Sequence, residues 1–434
     1  MKTALAVCLA IATAAQADSA WVQPVEGGYE VRIVTDLANC PTVYSDKGAH
    51  RIMDVRAEPT LAFKRVCSVS EPTDGKWVGY VGAPEPCPPV GANEVCLSDA
   101  RLVKLPAPMA EPKRILVLGD TGCRIKGETL QACNEPDKWP FPQLAAAAAK
   151  LKPDLVIHVG DYLYRESACP AGNSGCEGSP WGDNWTTWQA DFFSPAAPLL
   201  AAAPIVLARG NHEDCVRAGT GWQLLMGPGA PAPCATHVPL YTVDLKSLTL
   251  GVLDDAVSGE TDLDSAMAQT YATEIGSLAD APGPVWFVHH RPTWAAITGP
   301  LGIPIGGNLT LIEAARLAEA KGKPMLPANV ELQLSGHIHT FEAINYDKAE
   351  VPPQVVAGNG GDKLDITPKN LRGATFLGHS GVKVADGLSV GGFGFLLMTR
   401  AKSGWTIDLY DSNGGHTRQC HFRAGARRRV DCRA

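Results

Sequence analysis

The chain has 434 residues, of which 45% are hydrophobic and 19% charged, a mixture that excludes a wholly disordered chain, collagen and a coiled coil. Its formal net charge of -7 comes from 38 Lys and Arg against 45 Asp and Glu, which argues against a general binder of nucleic acid or anionic membranes. The length allows about two or three domains with sizeable cores.

Residues 1–17 have the features of a secretory signal peptide. Lys2 precedes an apolar run at residues 4–15, and Ala15-Gln16-Ala17 offers a cleavage site of small residues. The run is too short to cross a bilayer. We therefore expect a secreted or periplasmic protein whose mature chain starts near Asp18.

The cysteines support an oxidising compartment. One of the 13, Cys8, lies in the signal peptide, which leaves 12 in the mature chain. No Cys-x-x-Cys pair occurs, so cysteine metal sites are disfavoured. The 12 fall in near-neighbour pairs that could close short disulfide loops, although sequence leaves the connectivity open: Cys40/Cys67, Cys87/Cys96, Cys123/Cys133, Cys169/Cys176, Cys215/Cys234 and Cys420/Cys432.

The residue pattern of the chain changes near residue 110. Residues 18–110 contain short apolar runs, such as 29–34 and 77–81, broken by Pro, Gly and Cys, which predicts a small β-rich, disulfide-pinned accessory domain. A Pro-containing linker at residues 105–108 lies at the end of this region. Residues 111–415 then predict a single α/β catalytic domain, and residues 416–434 a basic, disulfide-tied C-terminal tail.

Buried strands alternate with helices in the predicted catalytic domain, as in βαβ units. The aromatic residues Trp185, Trp188 and Phe192 recur at helical spacing, which favours a buried helix face over a substrate platform. Strands are predicted at 114–118, 155–159, 205–208, 248–253, 285–288, 331–334, 355–357 and 393–398, and helices at 143–151, 264–279 and 311–320.

Five polar clusters directly follow predicted strands. One such cluster alone is usually a turn. Open α/β sheets, however, place their ligand sites at the carboxyl ends of strands, so five clusters in order predict one assembled metal-binding site. The clusters are Gly119-Asp120-Thr121-Gly122, Gly160-Asp161-Tyr162-Leu163-Tyr164, Gly210-Asn211-His212-Glu213, His289-His290 and Gly336-His337-Ile338-His339.

In this order, the blocks GDxG, GDxxY, GNHE and GHxH resemble those of the calcineurin-like metallophosphoesterases, and Tyr164 resembles the tyrosine of the purple acid phosphatase branch. The resemblance spans about residues 112 to 400 and implies an α/β αββα-sandwich fold. The chain departs from the family at the fourth block, where VxxH is replaced by two adjacent histidines. We expect His290 to be the ligand because Arg291-Pro292 completes the family's His-x-Pro pattern, with His289 as the alternative.

The resemblance implies two metal ions that share Asp161 as a bridging carboxylate. Asp120, Tyr164 and His339 would complete an oxygen-rich site suited to Fe(III), and Asn211, His290 and His337 a nitrogen-richer site suited to Zn, Fe(II) or Mn. Such a pair can activate a water to hydroxide at mild pH.

His212, beside the metal pair, is expected to bind the substrate phosphoryl group or protonate the leaving alkoxide, with Glu213 positioning it. Its alternative role is a hydrogen bond to a carboxylate. Arg291 is a candidate phosphate contact.

These features predict a secreted phosphoesterase that hydrolyses small-molecule phosphate monoesters, with neither a nucleic acid nor a membrane as partner. Two alternatives share these sequence features: a phosphodiesterase or nucleotidase on the same site, and a secreted binding protein without catalysis.

Overall fold

The computed structural model describes residues 19–44, 50–72, 80–82, 105–231, 233–299, 304–376 and 381–432. The predicted signal peptide, Cys87, Cys96 and most of the predicted strand at 77–81 lie outside these ranges. The strands are β1 (Ser19–Val25), β2 (Gly28–Thr35), β3 (Thr42–Tyr44), β4 (His50–Ile52), β5 (Asp54–Ala57), β6 (Arg65–Pro72), β7 (Tyr80–Gly82), β8 (Arg114–Leu118), β9 (Ile125–Lys126), β10 (Thr129–Leu130), β11 (Leu155–His158), β12 (Ile205–Leu207), β13 (Tyr241–Asp244), β14 (Thr249–Val252), β15 (Val285–Val288), β16 (Ala296–Thr298), β17 (Pro304–Gly306), β18 (Val330–Ser335), β19 (Phe341–Tyr346), β20 (Gln354–Ala357), β21 (Val384–Val390), β22 (Gly394–Arg400), β23 (Trp405–Asp411), β24 (His416–Arg423) and β25 (Arg429–Cys432).

The helices are fewer than the strands. A π-helical turn at Gln189–Phe193 joins two of them into one continuous element, and short 3₁₀ turns occur at Asn211–Glu213 and Leu278–Asp280. The α-helices are α1 (Phe141–Lys150), α2 (Trp185–Trp188), α3 (Ser194–Ala202), α4 (Gly219–Leu225), α5 (Ser265–Ser277) and α6 (Leu309–Ala320).

Two seven-stranded sheets form the centre of the molecule. Sheet I has the order β12-β11-β8-β22-β23-β24-β25, and sheet II the order β13-β14-β15-β18-β20-β19-β21. In sheet I, β12, β11 and β8 are parallel, and in sheet II, β14, β15, β18 and β20 are parallel. The carboxyl ends of the parallel strands in each sheet therefore share one edge, where ligand sites form in such folds.

Alternation along the strands creates three layers of core. In β8, Ile115 and Val117 face the core between the two sheets, whereas Leu116 and Leu118 pack against the layer that contains α1 and α3. Sheet II covers a further core with α5 and α6, which contribute Tyr271 and Leu311. This arrangement confirms the predicted αββα sandwich. The predicted helix face of Trp185, Trp188 and Phe192 is buried in the α1 and α3 layer.

The β-rich N-terminal region forms a four-stranded sheet, β1-β2-β6-β5, and a three-stranded sheet, β4-β3-β7. Its Trp21 packs on Phe193, with ring centroids 5.0 Å apart. Two buried arginines, Arg32 and Arg56, donate hydrogen bonds to the carbonyls of residues 223–225, at the end of α4, and to that of Gly227. Because the last carbonyls of a helix lack partners within the helix, these arginines satisfy groups that would otherwise be buried unpaired.

Residues 416–432 differ from the predicted tail. They form β24 and β25, the outer strands of sheet I, and the Cys420–Cys432 disulfide joins the two. The many basic residues made this segment look like an exposed tail, but it alternates as a strand does, with Cys420 and Phe422 directed into the core between the sheets.

Five disulfides are present in the described residues, and each joins one of the near-neighbour pairs: Cys40–Cys67, Cys123–Cys133, Cys169–Cys176, Cys215–Cys234 and Cys420–Cys432. None of the described helices is long and apolar enough to span a membrane.

Candidate metal centre

The backbone turns sharply at three of the predicted ligands. Asp120, Asp161 and His337 directly follow strands or a strand-terminal glycine and have φ angles of 56°, 60° and 68°. Left-handed backbone is unfavourable for residues with a side chain, at a cost of about 1–3 kcal/mol each, and accumulates at functional sites. In the case of His337, the turn breaks the strand pattern that would otherwise direct it and His339 to the same face.

The first group of donors, which we call the tyrosine side, consists of Tyr164, Asp120 and His339. The Tyr164 hydroxyl oxygen lies 3.0 Å from Asp120 Oδ1 and 3.1 Å from His339 Nε2. His339 Nε2 and Asp120 Oδ1 are 3.2 Å apart. All three side chains are buried, and their donor atoms lie within 3.2 Å of one another.

The second group, which we call the histidine side, consists of Asn211, His290 and His337. His290 Nε2 lies 3.1 Å from Asn211 Oδ1. Donor atoms of Asp161, His290 and His337 all lie within 4.8 Å of one another. Asp161 joins the two sides, because its Oδ2 is 2.8 Å from the Tyr164 hydroxyl and 3.2 Å from His290 Nε2.

The two adjacent histidines of the fourth block point in different directions. His290 Nδ1 lies 2.8 Å from the Val159 carbonyl, which directs Nε2 into the donor cluster. Its ring passes over Gly160, where a Cβ would lie only 2.5 Å from His290 Nδ1, so a glycine is required there. His289 is also buried, but its Nδ1 is 3.1 Å from Asp255 Oδ2 and its ring stacks on Phe287. The structure thus places His290 in the cluster and His289 outside it.

The electrostatics of the cluster favour positive charge. Burial would raise the pKa of Asp161, but His290 and His212 outweigh it and hold the pKa well below the usual value. Burial alone would lower the pKa values of His290 and His339. Nearby carboxylates outweigh burial: Asp161 raises the pKa of His290 to about 9, and Asp362 raises that of His339 to about 10. Protons therefore balance these carboxylates in the protein alone, at positions where metal cations could do so.

Burial and nearby carboxylates also act on Tyr164, because both disfavour its negatively charged phenolate. Burial, then the charges of Asp120 and Asp161, raise the pKa of its hydroxyl well above the usual value. Asp191, in the π-helical turn, accepts hydrogen bonds from the Tyr164 and Cys123 amides at 2.8 and 2.9 Å and so joins the first two blocks. Such π-helical turns often lie at functional sites.

His212 lies beside the cluster, with its ring 3.8 Å from that of Tyr164 between centroids. Its Nδ1 is 2.6 Å from Glu166 Oε1, and its Nε2 is 3.9 Å from Asp161 Oδ2. Glu213 was expected to position His212, but its carboxylate has other partners. Its carboxylate instead accepts hydrogen bonds from the amides of Asp161, Tyr162 and Leu163, so it shapes the turn that carries Asp161.

The cluster opens into a cleft with a volume of about 560 Å³. Arg291 is not one of the described residues that line it; its Nη1 donates to Glu260 Oε1 at 2.7 Å. Other basic side chains line the cleft, together with apolar side chains from β16 and β17. The lining includes Arg124, Lys126, Arg217, Lys363, Ile297, Ile305, Asn211, His212, Glu260, His337 and His339.

The sequence analysis did not identify several carboxylates around the site, among them Glu166, Asp191 and Glu260. Glu166 follows Tyr164 by two residues, so its proximity to the second block was a usable signal. Asp191 lies within an aromatic stretch that indicates only core packing, and Glu260 lies in a loop that carries no motif. Nothing in the local pattern of these last two residues indicates a contact with the site.

The fold and the site together define a class: hydrolases built on an αββα sandwich with carboxylate, amide and imidazole donors at the strand ends. A family model described as calcineurin-like phosphoesterase matches residues 113–341, and the chain belongs to that family. It is accordingly a metal-dependent phosphoesterase, which confirms the predicted resemblance and enzyme class.

Solved structures agree on the fold. A purple acid phosphatase from seeds of yellow lupin (Lupinus luteus) aligns with a TM-score of 0.53 and 14% identity, over 93% of this chain and 74% of that one. A structure of PhoD aligns with a TM-score of 0.54 and 12% identity, over 96% of this chain and 92% of that one. No curated protein matches the chain.

Proposed function

We propose that this chain is a secreted phosphoesterase that hydrolyses small-molecule phosphate monoesters at a centre of two metal ions. The observation that carries the proposal is the position of Asp161. One carboxylate oxygen, Oδ2, lies within 3.2 Å of donors from both the tyrosine side and the histidine side. A single metal site would not need a carboxylate shared in this way.

The donor chemistry fits two different ions. The tyrosine side offers a phenol, a carboxylate and one imidazole, a set suited to Fe(III), whereas the histidine side offers two imidazoles and an amide, a set suited to Zn, Fe(II) or Mn. The raised pKa values of His290 and His339, about 9 and about 10, support this fit because cations would replace those protons. When bound, such a pair supplies an activated water and neutralises charge on the phosphoryl group.

The residues of the chain then have distinct tasks. Glu166 Oε1 lies 2.6 Å from His212 Nδ1, and this contact holds the ring so that Nε2 faces Asp161 and the cleft. A proton at His212 Nε2 is positioned for transfer to the leaving alkoxide. Asn211 contributes an amide oxygen at the histidine side, and its neighbouring His212 amide donates to Asp161 Oδ1 at 2.8 Å, which keeps the bridging carboxylate in place.

Secretion is supported by the five disulfides in the described residues and by the predicted signal peptide. Titration of thiols in the denatured, unreduced protein tests this part of the proposal. We expect few or no free thiols. Several free thiols per chain would contradict an oxidising compartment.

The function is tested by assaying a panel of phosphate monoesters and diesters with the metal-loaded protein. The same assays on the His212→Gln variant test the role of His212. We expect turnover of phosphate monoesters, and a His212→Gln variant that keeps its metal content but turns over slowly. Preferential turnover of diesters would replace the proposed substrate class. A metal-loaded wild-type protein that binds phosphate and hydrolyses none of the panel would contradict catalysis.

A further inference from the structure

Glu260 is an acidic residue in a cleft that would receive an anionic substrate. It belongs to the loop between β14 and α5, and it lines the cleft together with His337 and Asn211. The negative charge of a carboxylate there repels a phosphate group unless neighbouring groups offset it. The contacts of Glu260 indicate what its role is.

One oxygen of Glu260 receives two hydrogen-bond donors. Oε1 accepts from Arg291 Nη1 at 2.7 Å and is in direct contact with His337 Nε2. The backbone at Arg291 is anchored, because its amide donates to Asp255 Oδ2 at 2.9 Å. Glu260 therefore lies between the Arg291 guanidinium and the most exposed of the proposed ligands, His337.

The loop around Glu260 is anchored independently of its side chain. The Glu260 carbonyl accepts from the Leu309 amide at 2.9 Å and the Gly259 carbonyl from the Thr310 amide at 3.2 Å, which ties the loop to the start of α6. Ser258 Oγ donates to Asn308 Oδ1 at 2.7 Å, next to the same helix start. The backbone thus delivers the carboxylate to His337, and truncation of the side chain leaves these anchors intact.

We propose that Glu260 is a positioning residue that fixes the tautomer and orientation of His337. A carboxylate at Nε2 keeps the imidazole proton on that nitrogen, which leaves the lone pair of Nδ1 as the metal-binding atom. Histidine ligands commonly need such a partner, and its loss typically lowers metal affinity about 10- to 100-fold. Arg291 supports Glu260 and is not among the described residues that line the cleft.

This inference rests on the proposed function, since it concerns one of the proposed ligands. It differs from the expectation that Arg291 binds phosphate, and it makes the histidine side dependent on a residue outside the five sequence blocks. The proposal concerns only the histidine side, because Glu260 contacts none of Asp120, Tyr164 and His339 in the described residues.

Zinc is a suitable probe because zinc-loaded protein is diamagnetic. Zinc affinity is measured by competition with a chelator for the wild type and for Glu260→Ala, Glu260→Gln and Glu128→Ala. Glu128 is exposed beside the cleft-lining residue Thr129, so its removal changes the local charge without touching a histidine. We expect two zinc ions per wild-type chain, one of them bound about 10- to 100-fold more weakly in Glu260→Ala. Glu260→Gln, which keeps an acceptor oxygen, should fall in between, and Glu128→Ala should match the wild type.

The tautomer is read directly from long-range nitrogen–proton correlation spectra of the zinc-loaded wild type. We expect the His337 proton on Nε2. A proton on Nδ1, or a Glu260→Ala variant with wild-type zinc affinity, would overturn the inference. A wild-type chain that binds fewer than two zinc ions would contradict the two-metal proposal instead, so the two failures are distinguishable.

Discussion

The tyrosine side and the histidine side of the candidate centre differ in how completely the protein encloses them. On the tyrosine side, Asp120, Tyr164 and His339 are buried, and His339 Nδ1 lies 2.7 Å from the Lys363 carbonyl. On the histidine side, the His337 side chain is 23% exposed to the cleft. Enclosed ligands are preorganised and release a metal slowly, whereas an open side can exchange its ion and receive substrate.

We infer from this difference that the two sides have different roles. The tyrosine side is supported by buried carboxylates, including Asp191 on the Tyr164 amide. The histidine side is supported from the cleft by Glu260, which water can reach. The closed side would therefore hold its ion as part of the structure, and the open side would adapt to the substrate. Four predictions test this comparison.

The largest effect is expected where the two sides meet. Asp161→Asn removes the negative charge between them, so both ions should bind more weakly. Turnover should fall about 1,000-fold, since such centres contribute several kcal/mol to transition-state stabilisation. Metal analysis and rate measurements on the same preparations test this. Asp154→Asn is a matched control, because Asp154 receives the Lys113 and Arg114 amides at the opposite end of β8. A variant at 161 with two ions and full rate would make Asp161 only a turn residue.

The second test separates the two sides. His337→Ala should lose the ion of the histidine side and keep that of the tyrosine side, whereas His339→Ala should do the reverse or lose both. Since outer partners alone cost about 10- to 100-fold, the loss of a ligand should lower activity at least about 100-fold. Metal content per chain distinguishes the variants. Equal losses of both ions in the two variants would abolish the proposed difference.

The third test concerns Tyr164. If its phenolate binds Fe(III), oxidised iron-loaded protein should be coloured by ligand-to-metal charge transfer, and Tyr164→Phe should remove the absorption band. Activity should fall about 10- to 100-fold because the other three donors of that site remain. His337→Ala serves as the control, since it should keep the band. A band that persists in Tyr164→Phe would remove the phenolate from the site.

The smallest effect is expected outside both sides. Glu166→Gln weakens the partner of His212 without removing a metal donor, so metal content should be unchanged. The rate should fall about three- to tenfold, because orientation is only part of what a general acid contributes. Steady-state kinetics with Glu128→Gln as a charge control measure this. A loss of metal in Glu166→Gln would show that Glu166 supports the centre itself.

The sequence by itself predicted much of the framework. The α/β sandwich follows from apolar strands and helices in regular alternation. The near-neighbour spacing of the cysteines indicated short disulfide loops but left their connectivity open, and the five disulfides in the described residues join those neighbours. The five blocks at strand ends also predicted which residues would meet, because parallel strands bring their carboxyl ends to one edge. These features depend on patterns of a few residues, which a sequence displays directly.

Tertiary structure decided what those patterns left open. Two adjacent histidines follow β15, and the His-x-Pro pattern only favoured His290 over His289. Their directions are decided by packing, because Asp255 contacts His289 and the Val159 carbonyl contacts His290. Residues 416–432 look basic in sequence but complete sheet I. Partners such as Glu260 come from segments distant in the chain, and a contact between distant segments is fixed by how the layers pack, which no local pattern records.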